Sequence, residues 1–189
     1  MADIAFLLLI FFLVTTVIET DQGMMKKLPP AEQTDQIDLH KRNLLSIEIN
    51  GNREILCNER QIPLDSLESI ARKFIDNGGA AAGAEFYCDY CKGARSAESS
   101  DHPLQAVIQL THTRDTPYGF YITVQDRLGA AYNSLRDSEG IRRFGMTYAN
   151  LESGIENPFT DDALQARYLS MAEELRDAYP MQIIETEPK

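Results

Sequence analysis

Asp3 is the one ionisable side chain standing against a long apolar run: residues 4–14 are apolar without interruption, Thr15, Thr16, Val17 and Ile18 extend the run, and Glu19 and Asp21 close it. A carboxylate inside a membrane helix costs about 2.5 to 3.5 kcal/mol on insertion scales, so a chain that keeps one there has a use for it. The chemistry open to it is uptake and release of a proton. At the head of a helix the same side chain can instead cap unpaired backbone N–H groups at the water interface. The residues alone leave both readings open. At about 100° per residue, Asp3 shares its face with Phe6, Leu7, Ile10, Val14 and Val17, all apolar. Any proton path must therefore be completed by side chains or waters of a partner.

The second candidate is the thiol pair in Cys88-Asp89-Tyr90-Cys91, with Cys57 as the third cysteine. Three cysteines are too few for a disulfide scaffold and lack the second pair of a four-ligand zinc site. A thioredoxin-like redox site would place the pair just after a strand and at the opening of a helix. Here it lies between the Gly/Ala-rich residues 78–83 and the Ala/Ser-rich residues 94–100, which favours a loop staple. A local disulfide or idle thiols, a metal or intermolecular bond, and redox chemistry stay open as readings. His40, His102 and His112 are scattered without metal-ligand spacing. Neither a nucleophile–base arrangement nor a phosphate-cradling glycine loop stands out, so no enzyme and no cofactor are expected.

Charge narrows the partners. A net charge of −11 with only 18 basic residues among 189 argues against nucleic acid, whose binding rests on clustered Lys and Arg. The length suits one globular domain with a membrane segment and a linker.

These elements must position the candidates. As a helix, residues 2–18 would be about 25 Å long, close to the lower limit for spanning a bilayer. No basic n-region or small-residue cleavage site marks a signal peptide. Lys26 and Lys27 follow the run; taken alone, the positive-inside rule would put the C-terminal part inside the cell. Residues 21–42, polar and carrying Pro29 and Pro30, read as a flexible tether reaching roughly 70 Å when extended. Leu45, Ile47 and Ile49 alternate with polar neighbours, and Asn50-Gly51-Asn52 turns the chain into 54–57 as a hairpin. Leu67, Ile70, Ala71, Phe74 and Ile75 fall on one helical face, with Asp65 and Glu68 spaced as a capping box and Gly78-Gly79 ending the helix. Residues 78–103 form an insertion loop, and 104–111 a strand. Thr116 as cap and Pro117 as first residue open a helix whose face holds Tyr118, Tyr121, Ile122, Leu128, Tyr132 and Leu135. A further helix runs over about 160–179, and 181–184 closes a mixed sheet. The pattern predicts a single N-terminal transmembrane helix (1–20), a linker (21–42) and a small α+β domain (43–189) with helices packed on one face and tyrosines in its core.

The string Met1-Ala2-Asp3-Ile4-Ala5-Phe6-Leu7-Leu8-Leu9-Ile10, continued to Thr16, resembles the single membrane helix of ExbD/TolR proteins, especially the longer ExbD-like type. Leu28-Pro29 resembles the Leu-Pro element that follows this helix. Arg114-Asp115-Thr116-Pro117-Tyr118, Val124-Gln125 and Ala130-Ala131-Tyr132-Asn133 resemble the helix of the extracytoplasmic domain. The resemblance implies that Asp3 takes and releases protons and that Leu28 and Pro29 contact a partner. It further implies a bacterial inner-membrane, single-pass protein with its C-terminal domain in the periplasm, which overrides the orientation suggested by Lys26 and Lys27. Its implied partners are an ExbB-like ring protein, a TonB-like protein and a second copy of itself, in a complex energising outer-membrane transport by the proton-motive force. The alternatives are a TolR-like anchored envelope-binding domain and a tethered thiol redox module. The family carries a polar cytoplasmic tail ahead of the Asp, so a missing tail or a misplaced start is also expected.

Overall fold

A computed structural model of the chain describes residues 41–186 together with Leu7. The expected membrane helix, Asp3, Leu28, Pro29 and nearly all of the tether lie outside the described residues. Among the described residues, no helix is long and apolar enough to cross a membrane. The chain divides into two units, 1–37 and 38–189, and the sheet and helices below belong to the second.

Five strands form one mixed sheet in the order β3-β2-β1-β4-β5: β1 Leu44–Ile49, β2 Ile55–Cys57, β3 Arg60–Ile62, β4 Val107–His112 and β5 Ile183–Thr186. The first three form an antiparallel meander, whereas β4 runs parallel to both β1 and β5. Alternation puts Leu45, Ile47 and Ile49 of β1 on the buried face, with Ile47 opposite Cys57 on one side and Leu110 on the other. The expected hairpin forms, but its left-handed residue is Arg53 (φ 64°), not Gly51. Asn50 sets the loop, its Oδ1 accepting the backbone N–H of Asn52 and of Glu54 at 3.0 Å. The third strand was not expected. It follows a two-residue turn in which Asn58 and Glu59 both take positive φ (46° and 67°), as a primed hairpin turn requires.

Four helices accompany the sheet among the described residues: α1 Leu64–Ile75, α2 Tyr118–Phe144, α3 Tyr148–Glu156 and α4 Asp162–Ala178. With the mixed sheet they make an α+β domain. Leu67, Ala71, Phe74 and Ile75 of α1 and Val124, Leu128, Ala131 and Tyr132 of α2 pack with the strands in the main core. Tyr148, Leu151, Ala172 and Leu175 form a smaller core between α3 and α4.

Several boundaries differ from the sequence reading, each for a local reason. No capping box forms on α1, because extended Pro63 is its N-cap and Asp65 falls inside the first turn, 3.9 Å from Arg127. Pro117 rather than Thr116 precedes α2, since the Thr116 hydroxyl donates to the Ile49 carbonyl at 3.2 Å and ties the helix start to the end of β1. Tyr118, expected in the core, is 75% exposed and stacks on Tyr121. β4 begins at Val107 and not at Leu104, because the His102 carbonyl turns the chain by accepting from Gln105 and Ala106 at 2.8 and 3.0 Å. β5 begins at Ile183, leaving Met181 exposed. The helix expected over 160–179 is α4, capped by Asp161, whose Oδ1 accepts from Ala163 N–H at 2.8 Å. Helix α3, capped by Thr147, was not expected.

The second half of α2 is held by polar groups. Arg136 is buried with no carboxylate within 4.0 Å among the described residues; its Nε and Nη2 donate to the Tyr179 carbonyl at 3.2 and 2.8 Å, and its guanidinium lies 5.2 Å over the Tyr148 ring. One side chain thus closes the C-terminal end of α4 against α2 and joins the two cores. Arg136→Met keeps the stem and removes the donors, orphaning a carbonyl. It should lower unfolding free energy by about 2 kcal/mol in a urea titration; an unchanged midpoint would refute this role.

Candidate functional site: the disulfide loop and its cleft

Helix α1 ends at Asp76, and the following residues, 77–106, carry no helix or strand. Composition suggests slack chain, yet the loop is fastened along its length. Asn77 is buried; its Nδ2 donates to the Ser96 and Ser100 carbonyls at 2.9 and 2.8 Å, and its Oδ1 accepts from Ser96 N–H at 3.0 Å. Gly93 lies so close to the end of α1 that a Cβ there would meet the Asp76 carbonyl oxygen at 2.3 Å. Near the exit of the loop, Asn43 and Asp101 exchange two hydrogen bonds, and Arg42 pairs with Asp101 at 2.7 Å.

Cys88 and Cys91 form a disulfide, with Cys88 fully buried. Cys57 sits apart in β2, and burial pushes its thiol pKa up. Between the bridged cysteines, Asp89 faces water and Tyr90 turns inward. The Tyr90 hydroxyl donates to the Ala178 carbonyl at 2.8 Å, and its ring meets Tyr179 and His102 edge-on at 5.5 and 5.6 Å. Arg143 lies 5.6 Å over its face. Burial raises the phenol pKa to about 12, so it stays a donor at any physiological pH. The disulfide therefore presents one aromatic side chain to the end of α4.

Beside Tyr90 opens a cleft of about 320 Å³, framed by Arg72 and Lys73 of α1, its C-cap Asp76, Lys92 of the loop and Glu139 of α2. Asp76 accepts from the Tyr179 hydroxyl at 2.9 Å and from Lys92 N–H at 3.2 Å; burial outweighs these bonds and holds its carboxyl above the ordinary range. Glu139, 2% exposed, is pushed up by burial and pulled down more strongly by hydrogen bonds from Arg142 and Arg143 at 2.5 Å, leaving it below the ordinary value. Both floor carboxylates are thus already partnered. Such a cleft can recognise charge. It places no nucleophile beside a base, and among the described residues no cluster of His, Cys, Asp and Glu could hold a metal. His102 accepts Leu104 N–H at 3.0 Å and burial lowers its pKa, whereas His112 packs on Tyr121.

Of the residues singled out by sequence, Cys88 and Cys91 are brought together, and Asp3, Leu28 and Pro29 lie outside the described residues. Asp76, Tyr90, Glu139 and Tyr179 were missed. Only Tyr90 carried a local signal, its place between two cysteines.

The family model described as biopolymer transport protein ExbD/TolR matches residues 1–136. The chain belongs to the ExbD/TolR family. Proteins of this family are anchored in membranes and work in complexes with partner proteins, in biopolymer transport. A comparison with curated proteins finds no match. The family match ends at Arg136, inside α2, so α3, α4 and β5 lie beyond the matched residues.

Cys88→Ser/Cys91→Ser releases a very short covalent loop, for which loop closure gives a loss of about 2 kcal/mol. Reduction of the unmodified chain should lower its thermal midpoint as the double variant does, and equal midpoints with and without the bridge would overturn the staple. A pH series tests Glu139. Its depressed folded value contributes stability above the unfolded value of 4.5 that is lost as pH falls through the folded value. Glu139→Gln should cost about 2 kcal/mol at neutral pH, with the gap to the parent narrowing in acid; a gap constant with pH would sink the assignment.

Proposed function

We propose that this ExbD/TolR-family chain is the ExbD-type, proton-motive-force-coupled subunit of a complex that energises transport across the outer membrane. The observation that carries the reading is Asp3 at the head of the apolar residues 4–14, within the family match of 1–136. In this reading residues 1–20 cross the bacterial inner membrane once, 21–42 form the tether, and the α+β domain stands in the periplasm. The Cys88–Cys91 disulfide supports that placement, since such bonds persist in oxidising compartments. An ExbB-like ring protein surrounds paired copies of the helix, Leu28 and Pro29 contact a partner near the membrane, and the domain engages a TonB-like protein.

A proton moving down 100 mV releases about 2.3 kcal/mol, so work is done over repeated protonations of Asp3. Neutral Asp3 can turn past apolar walls, while ionised Asp3 is held by a polar group of the ring protein; the alternation gives access to one side of the membrane at a time. The reading assigns the domain no enzymatic activity. Its cysteines act as a staple, in keeping with the complete burial of Cys88.

Asp3→Asn keeps the side chain's size and removes its titration. Cells expressing the variant in the full-length reading frame should lose proton-motive-force-dependent uptake at an unchanged membrane level by blot. Full uptake would leave a TolR-like anchored binding domain.

A further inference from the structure

We propose that the cleft beside the disulfide loop is a carboxylate-recognition site, in which Arg72, Lys73 and Lys92 receive an acidic group of a partner polypeptide. The proposal rests on reading the domain as the partner-engaging part of a membrane complex, and it names the chemistry of that engagement.

Three observations carry it. First, the cleft's charges do not balance locally. Glu139 is neutralised by Arg142 and Arg143, and Asp76, whose hydrogen-bond donors Tyr179 and Lys92 N–H are neutral, is one carboxylate against three cations, Arg72, Lys73 and Lys92, that make no ion pair within 4.0 Å among the described residues. The negative end of the α1 dipole favours cations in its last turn and Asp76 attracts Lys92, which the stapled loop brings from another segment, but a single carboxylate does not offset all three cations. Second, this surplus of positive charge lies on a chain of net charge −11, where most of the surface repels an acidic partner and a cationic cleft draws it to one place. Third, part of the wall is held in place: Tyr90 is fixed by the disulfide and by its bond to Ala178, and Arg72 donates to Ser134 Oγ at 3.2 Å, so these two groups need little further ordering when a ligand arrives. With about 320 Å³ available, the cleft admits one or two side chains or a chain terminus, not a folded domain.

The carboxylate can come from Asp or Glu side chains or from a C-terminus, and fluorescence anisotropy distinguishes them. The purified full-length chain in neutral detergent is titrated at low ionic strength into three labelled peptides. The first alternates Asp and Gly and is amidated at its C-terminus; the second is Ser/Gly with a free C-terminal carboxylate; the third is Ser/Gly and amidated. At least one carboxylate peptide should bind tenfold or more tightly than the third, and the one that does identifies the source. Lys73→Ala/Lys92→Ala should weaken that binding at least fivefold, while Arg167→Gln, which removes an exposed cation on α4, leaves it unchanged. Both lysines are exposed, and the bond from Lys92 to Asp76 is a backbone one, so the double variant keeps the fold. Equal binding of all three peptides, or equal weakening by Arg167→Gln, would overturn the proposal. Because no uptake is measured, either result stands apart from the test of Asp3.

Discussion

Ile47 of β1 lies opposite Leu110 of β4 in a parallel pair, and a parallel pair cannot be closed by a tight turn. The chain must leave the end of β1 and re-enter beside its start. Here it does so through β2, β3, α1 and the long loop that ends at β4. The pairing fixes where α1 must lie, over the rows made by Leu45, Ile47, Ile108 and Leu110, and thereby where α1 ends. Loops of a few residues usually suffice after such a helix; one this long survives in a compact domain because its backbone groups find partners. Asn77, Gly93 and the Cys88–Cys91 bridge supply that fastening. The cleft is what remains between the fastened loop and α2.

Buried charge follows the same logic. An ionised group removed from water is tolerated only where it is paired and hydrogen-bonded. Glu139 meets the condition with two arginines on its own helix, whereas Arg136 is held without a close carboxylate, by a carbonyl and two tyrosine rings. Arg136 ties the second half of α2 to the Tyr179 carbonyl at the end of α4, and its guanidinium lies over Tyr148, which packs with Leu151, Ala172 and Leu175 in the small core.

How far the sequence revealed this varies with the kind of signal. Strict alternation exposed β1, and the repeat of Leu67, Ala71, Phe74 and Ile75 exposed α1, because burial on one side of a regular element leaves a period. Strand β3 escaped because its turn, Asn58-Glu59, reaches positive φ without a glycine to announce it. Helix α2 was recognised only as far as Leu135, since Arg136 and Glu139 are buried by virtue of partners that the linear chain does not display. Helix α3 spans too few residues to show a period. For the cleft the obstacle is separation: Asp76 and Tyr179 stand 103 residues apart in the chain and meet through a single hydrogen bond. Family membership was legible from residues 1–16, where composition and spacing are most distinctive, yet those residues carry none of the described geometry.

The limit of the family match bears on what likeness can explain. It ends at Arg136, but the side chain of that residue grips Tyr179, beyond the match. Strand β5 completes the sheet against β4, the Tyr132 hydroxyl accepts Gln182 N–H at 3.3 Å, and Tyr90 donates to Ala178. Residues 137–186 are therefore part of the same fold, pairing with its strands and filling its core, and are not an appendage to it. The cleft draws Asp76, Tyr90 and Lys92 from the matched residues and Glu139 and Tyr179 from those beyond. Membership in the family bears on a role in biopolymer transport; the cleft, built across the limit of the match, needs an account of its own from its charges.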